Sequence, residues 1–234
     1  MRIALCIHVF DTVDFDVYFN HMFLAANWGK KYDLVFVGKK GLQAAQARNR
    51  IIDKCLEERC THAFFLDGDH LVTERSLDYL VECADEAMVS GLICKKGESY
   101  QQVAWEVREV EGRENFFQVT LPLDGQVYEV HTCAFGCTLI NLEKIRKLKK
   151  PYFRDTCLDG VNIRSDINLC KAFREIGEKM FVDTRVLVGH VGQRRIVYPQ
   201  NAEYYNQIRG VELDQMLLRH GQVGDYFDSR RISP

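Results

Sequence analysis

Proline is scarce in this chain: four residues in 234, with no cluster that would make a stiff linker. Low-complexity stretches and internal repeats are absent too, which argues for one compact domain rather than an array or a string of modules. Charge of either sign is not in excess. The formal net charge is -2 and the pI is near 6.4, so no nucleic-acid-binding surface is expected. No apolar run reaches the roughly 18 residues of a membrane span. The opening "MRIALCIHVFDTVDF" has one charge, a short apolar run and then acids, unlike a secretory leader. A soluble, cytoplasmic protein is the expectation.

Cysteine, by contrast, is plentiful at nine residues. Cys6, Cys94, Cys137 and Cys170 fall in apolar or helical patterns, where a thiol behaves as a small hydrophobe. The pairs Cys55/Cys60 and Cys133/Cys137 lack the close two-residue knuckle of structural zinc. Free thiols in a reducing compartment are expected.

Along the chain, "RIALCIHVF" (2–10) reads as a buried strand, and "YDLVFVG" (32–38), "HAFFLD" (62–67) and "AMVSGLIC" (87–94) as further strands. Residues 13–28 and 42–59 between them carry apolar side chains at helical spacing, and Thr73 is placed to cap a helix bearing Leu77, Leu80 and Val81. Strand–helix alternation over the first 95 residues predicts a parallel, doubly wound sheet, whose ligands lie outside the carboxyl ends of its strands. Residues 102–140 show short alternating segments, with "LDGQ" (123–126) as a hairpin turn. A short helix over 141–148, a loop over 154–165, a helix from Ser165 or Asp166 to about Gly177 and a strand before His190 follow. Tail segments around Tyr204–Ile208 and Val211–Leu218 have helical pattern, with Leu213, Met216 and Leu217 expected to pack on the domain.

Four stretches carry chemistry. "FFLDGDH" (64–70) ends a buried strand in Asp67-Gly68-Asp69. Two carboxylates there suit a hard divalent cation that completes its shell with phosphate oxygens; a plain surface turn is the other reading. In "GHVG" (189–192), His190 is either a neutral imidazole ligand or a hydrogen-bonded core residue. Asp166 opens a helix, where it either complements the helix dipole or faces a cleft as general base. In "QARNR" (46–50), Arg48 can bind phosphate or orient an acid, and otherwise belongs to a solvated helix face.

Taken together, "ARN", "FFLDGD", "SGLICKK", "GCTLI" and "SDINLCKAFREIGEKMFVDTRVLVGHVG", in that order, resemble the GT-A-fold glycosyltransferases of the broad inverting family-2 type over most of residues 2–192. The resemblance implies a GT-A-type, Rossmann-like, mostly parallel sheet with helices on both faces and a smaller mixed-sheet acceptor half. It divides one domain into a nucleotide-sugar half (about 1–95), an acceptor and catalytic half (about 96–192) and a C-terminal loop and tail (about 193–234). It implies a metal-dependent hexosyl transfer from a nucleotide-diphosphate sugar to an acceptor hydroxyl, with Mn2+ or Mg2+ as cofactor. In that reading Asp67, Asp69 (the DXD motif) and His190 hold the metal, and Asp166 is the base. His8, Phe10, Arg48, Asn49, Asp67, Lys95 and Arg194 contact the donor, and Trp105 and Gly136 face the acceptor. The acceptor itself (glycan, lipid or protein) is not indicated.

The sequence also departs from the family. His8 stands where many relatives have proline, Gly38-Lys39-Lys40 replaces an acidic residue after the second strand, and Ser165 replaces a glutamate before Asp166. Asp155 and Asp159 are substitutes for the base. A sugar nucleotidyltransferase or a non-catalytic nucleotide-sugar-binding protein on the same fold stay open, as does a retaining stereochemistry.

Overall fold

The chain's structure is a computed structural model that describes residues 1–95, 101–158, 161–192, 196–197 and 200. Arg194, Asp159 and the tail segments singled out above lie outside the described residues.

The first four apolar runs become β1 (Arg2–Val9), β2 (Asp33–Lys40), β3 (His62–Leu66) and, after the two-residue β4 (His70–Leu71), β5 (Met88–Leu92). Between them lie α1 (Phe15–Trp28), α2 (Ala44–Glu57) and α3 (Ser76–Val81). The second half contributes β6 (Ala104–Val110), β7 (Arg113–Gln118), β8 (Val127–Val130), β9 (Thr132–Cys133), β10 (Cys137–Asn141), α4 (Leu142–Ile145), β11 (Thr156–Leu158), β12 (Val161–Ile163), α5 (Ser165–Glu175), β13 (Met180–Leu187), β14 (Gly189–Val191) and β15 (Ile196–Val197).

The main sheet runs β2-β1-β3-β10-β5-β13-β8. Five strands point the same way, while β10 and β8 run against their neighbours. Strand alternation builds two cores. Ile3, Leu5, Phe64 and Leu66 pack with Leu24 and Trp28 of α1 and Leu77 and Leu80 of α3. Ala4, Cys6, Ala63 and Phe65 pack on the other face with Ile51, Ile52 and Cys55 of α2 and Leu169, Cys170 and Phe173 of α5. A strand covered on both faces must be apolar at every position, which is why β3 and β5 read as unbroken hydrophobic runs. Trp28 anchors α1. Its ring meets Phe64 edge-on at 5.5 Å and its indole N–H donates to the Glu74 carbonyl at 2.7 Å, so truncating it costs about 3–5 kcal/mol.

The structure corrects several local expectations. Residues 123–126 do not join paired strands, because β7 pairs with β6 and β8 pairs with β13. Asp124 instead accepts from the Gln126 N–H and the Tyr128 hydroxyl. The tight hairpin lies at Glu111-Gly112, both with positive φ (52° and 74°), the two-residue form whose twist suits paired strands. Thr73 lies before α3, whose N-cap is Arg75. The expected loop 154–165 contains the short β11–β12 hairpin. Helix α5 has Arg164 as N-cap, and the capping oxygen comes from Asp155, which accepts from the Ser165 N–H at 2.8 Å. None of its described helices is long and apolar enough to cross a membrane.

Candidate metal and donor site

Strand β3 delivers the acids to the sheet's carboxyl edge. The Asp67 N–H donates to the Gly136 carbonyl at 2.8 Å, which pins the first acid beside β10. The chain then turns, with the His70 N–H donating to the Asp67 carbonyl at 3.1 Å. Strand β4 next pairs antiparallel with β14, opposing His70 to His190, and the Val191 N–H donates to the Asp69 carbonyl at 2.8 Å. Residues far apart in sequence are thereby fixed in one small sheet.

Three side chains converge. Asp69 Oδ1 is 3.2 Å from His70 Nδ1, and Asp69 Oδ2 is 3.4 Å from His190 Nε2. The two imidazoles stack with centroids 4.4 Å apart. One ligand atom from each residue lies within 4.8 Å of the others. His190 Nδ1 sits 2.8 Å from the Cys94 carbonyl. A carbonyl only accepts, so Nδ1 carries the hydrogen and Nε2 is the ring atom turned to Asp69. A proton or a metal ion between Nε2 and the Asp69 carboxylate satisfies both groups. The donor chemistry therefore fits a divalent cation.

Asp67 stands slightly apart. Its Oδ2 is 3.0 Å from Arg48 Nη2, and Arg48 is buried with its guanidinium 4.5 Å above the Phe135 ring. Burial lifts the Asp67 carboxyl above its ordinary range; Arg48 pulls it back, and the like charge of Asp69 adds to the lift. Its other oxygen, Oδ1, is buried with no hydrogen-bond partner among the described residues. Gly136 gives the site room. A Cβ there would stand 2.5 Å from His70 Cε1, 2.8 Å from His70 Nδ1 and 3.2 Å from Asp67 Oδ2.

The other expected residues are placed as follows. His8 Nε2 is 2.9 Å from the Leu42 carbonyl, and Phe10 is 58% exposed just past the end of β1. Asn49 is committed to structure: its amide donates to the Ala45 and Phe153 carbonyls and accepts from the Phe153 N–H, tying α2 to the segment after Pro151. Lys95 Nζ lies 5.9 Å from the centroid of Trp105, bringing a residue expected at the donor and one expected at the acceptor together. Asp166 Oδ1 accepts from the Ile167 N–H, and the carboxylate's charge is felt by Cys133. All nine thiols are free, and His/Cys/Asp/Glu groupings of metal-ligand type among the described residues come down to Asp69, His70 and His190, without a cysteine.

Sequence reasoning missed His70 and His21. His21 Nε2 bonds the His70 carbonyl at 2.9 Å, and burial pushes its pKa down, keeping it a neutral buttress for β4. Only the adjacency in "DGDH" hinted at His70.

No protein-family profile matches the chain, and no curated protein does. Among solved structures, A197 from STIV superposes with a TM-score of 0.61 at 18% identity, covering 86% of this chain and 91% of that one. A mannose-1-phosphate geranyltransferase from Thermus thermophilus (TM-score 0.42, 9% identity, 65% and 61% coverage) is a looser likeness. So is a UDP-glucose phosphorylase from Trypanosoma brucei (TM-score 0.38, 8% identity, 77% and 60% coverage). Identities this low speak for the fold alone. That fold is the expected α/β class: a mostly parallel sheet with helices on both faces and smaller antiparallel sheets beside it.

Proposed function

We propose that the chain transfers a sugar from a nucleoside-diphosphate sugar to an acceptor hydroxyl, with inversion. The observation that carries this reading is Asp69 facing Nε2 of His190, beside the buried Asp67–Arg48 pair, at the carboxyl edge of a mostly parallel α/β sheet. Asp69 and His190 would hold Mn2+ or Mg2+, which would supply charge neutralisation for the diphosphate leaving group.

The chain's own groups do the rest. The half formed by residues 1–95 takes the nucleotide, with the exposed Phe10 ring stacking on the base. Asp67, held by Arg48, offers its buried Oδ1 to a donor hydroxyl or to the cation. Lys95 lies near the phosphates, and Trp105 beside it forms a wall for the acceptor sugar. Asp166 accepts the proton of the acceptor hydroxyl as that oxygen bonds to the anomeric carbon and the sugar–phosphate bond breaks. Arg194 is assigned to the donor by the family resemblance alone. The nine free thiols suit a reducing, cytoplasmic setting.

The test is thermal unfolding with UDP-, GDP-, CDP-, ADP- and dTDP-sugars, each with and without Mn2+. A ligand at about 100 times its Kd adds about 2.7 kcal/mol, visible as a melting shift. A metal-dependent shift with one nucleotide, followed by release of its diphosphate when acceptor is added, is expected. Turnover of a nucleoside triphosphate with a sugar 1-phosphate would make it a nucleotidyltransferase instead, and binding without turnover a carrier.

A further inference from the structure

The geometry points to a two-histidine, one-carboxylate metal centre in which His70 is a ligand. This centre takes a borderline divalent transition ion in preference to Mg2+, and takes it before any nucleotide arrives. The inference rests on the donor-site reading only in sharing Asp69 and His190 with it.

Three observations carry it. First, Asp69 lies 3.2 Å from His70 Nδ1 and 3.4 Å from His190 Nε2. With metal–ligand bonds of about 2.0–2.2 Å, neighbouring donors on one ion lie about 3.0–3.5 Å apart. Both separations fall in that window, one through each carboxylate oxygen, and one ligand atom from each of the three residues lies within 4.8 Å of the others. Second, the donors are held independently of any ligand. His190 is fixed by the Cys94 carbonyl, the His70 backbone by His21, and both strands by the β4–β14 pairing. Fixing ligands through their outer partners raises affinity. Third, the missing side chain of Gly136 lets the His70 ring lie there, since a Cβ would overlap its Cε1 and Nδ1.

The chemistry follows from the donor set. Imidazole suits Zn, Cu, Fe and Ni, whereas Mg2+ and, less strictly, Mn2+ suit carboxylates and water; N/O sites bind Mn2+ the weakest of the first-row transition ions. Two nitrogens and one carboxylate therefore favour Co2+ over Mn2+ and both over Mg2+. His70 is buried and forms the closed side; His190 and Asp69 are partly exposed and leave the outer side open for phosphate oxygens.

The experiment uses the full chain, stripped of metal and free of nucleotide, titrated with MnCl2 and followed by electron paramagnetic resonance. One equivalent is expected to quench the signal of aquated Mn2+, and a roughly 100-fold excess of Mg2+ is expected not to restore it. Spin-echo modulation on the wild-type complex is expected to show two imidazole nitrogens. His70→Gln is expected to weaken Mn2+ binding at least about 10-fold and to leave one nitrogen. A single nitrogen in the wild type, or unchanged binding in His70→Gln, overturns the proposal without dependence on the variant's stability. Mn2+ binding that appears only once a nucleoside diphosphate is added overturns it while sparing the donor-site reading. No Mn2+ binding under either condition overturns both.

Discussion

Arg48 Nη2 lies 3.0 Å from Asp67 Oδ2, and the arginine is almost wholly sealed from solvent beneath Phe135. Desolvation makes such a pair costly to assemble, but breaking one half costs more, because the surviving charge has no water to turn to. Arg48→Met is expected to lower the unfolding free energy by about 3–5 kcal/mol, measured by chemical denaturation. Arg48→Met with Asp67→Asn removes both charges and should recover most of that loss. If the double variant is as unstable as the single one, the effect comes from packing on Phe135 rather than from the pair.

Gly136→Ala tests how closely the backbone approaches the site. The added methyl meets His70 at 2.5 Å and Asp67 Oδ2 at 3.2 Å, and Gly136 has a φ of 153°. Overpacking of this kind costs about 1–3 kcal/mol, and the shift of His70 should abolish nucleotide-independent metal binding. Gly38→Ala is the control. Its Cβ would lie 3.6 Å from the Ile7 carbonyl, an ordinary contact, so its stability and metal binding should stay close to wild type.

Acid should weaken the fold through His62. Its ring bonds the Ala84 carbonyl and Thr61 Oγ1, and burial pushes its pKa below the usual value. In the unfolded chain the ring protonates near pH ~6.5. Stability is therefore full above that pH and falls as the pH drops toward the folded value, with a slope of up to about 1.4 kcal/mol per pH unit for each proton. Denaturation on either side of that value, at about pH 7.5 and about pH 5.5, measures it. His62→Asn should reduce the difference between the two pH values; an unchanged difference assigns the acid sensitivity to other groups, such as His21, whose pKa burial also lowers.

What could be read from the sequence, and what could not, divides by range. Strands β1, β3 and β5 were legible because burial on both faces demands continuous apolar residues. The insertion of β10 between β3 and β5, reversed in direction, was not, since no local pattern encodes which strand lies beside which. The hairpin at Glu111-Gly112 escaped because its first residue is a glutamate in a left-handed conformation, a weaker signal than Asp-Gly at 124–125. At the site, Asp69 and His190 stood out by their motifs and the structure brings them together. His70 did not, because its position is set by pairing with the distant strand β14. Asn49 looked like part of a donor-binding motif but closes a contact with Phe153, another long-range partner that spacing cannot reveal.

The choice of base can be separated from helix capping. Asp155 Oδ1 accepts from the Ser165 N–H at 2.8 Å, filling the place that Arg164, the N-cap of α5, cannot fill with its own side chain. Asp166 accepts from Ile167 through Oδ1 alone. Asp155→Ala removes a cap and should cost about 1 kcal/mol of stability, while transfer by the folded fraction stays within a few-fold of wild type. Asp166→Asn keeps the local hydrogen bond and the shape but removes the basic oxygen. It should leave metal and donor binding intact and slow transfer by about 100- to 10,000-fold, as measured by single-turnover rates at saturating donor. Normal transfer by Asp166→Asn would move the base elsewhere. A comparable loss in Asp155→Ala, with the helix intact by circular dichroism, would move it to Asp155.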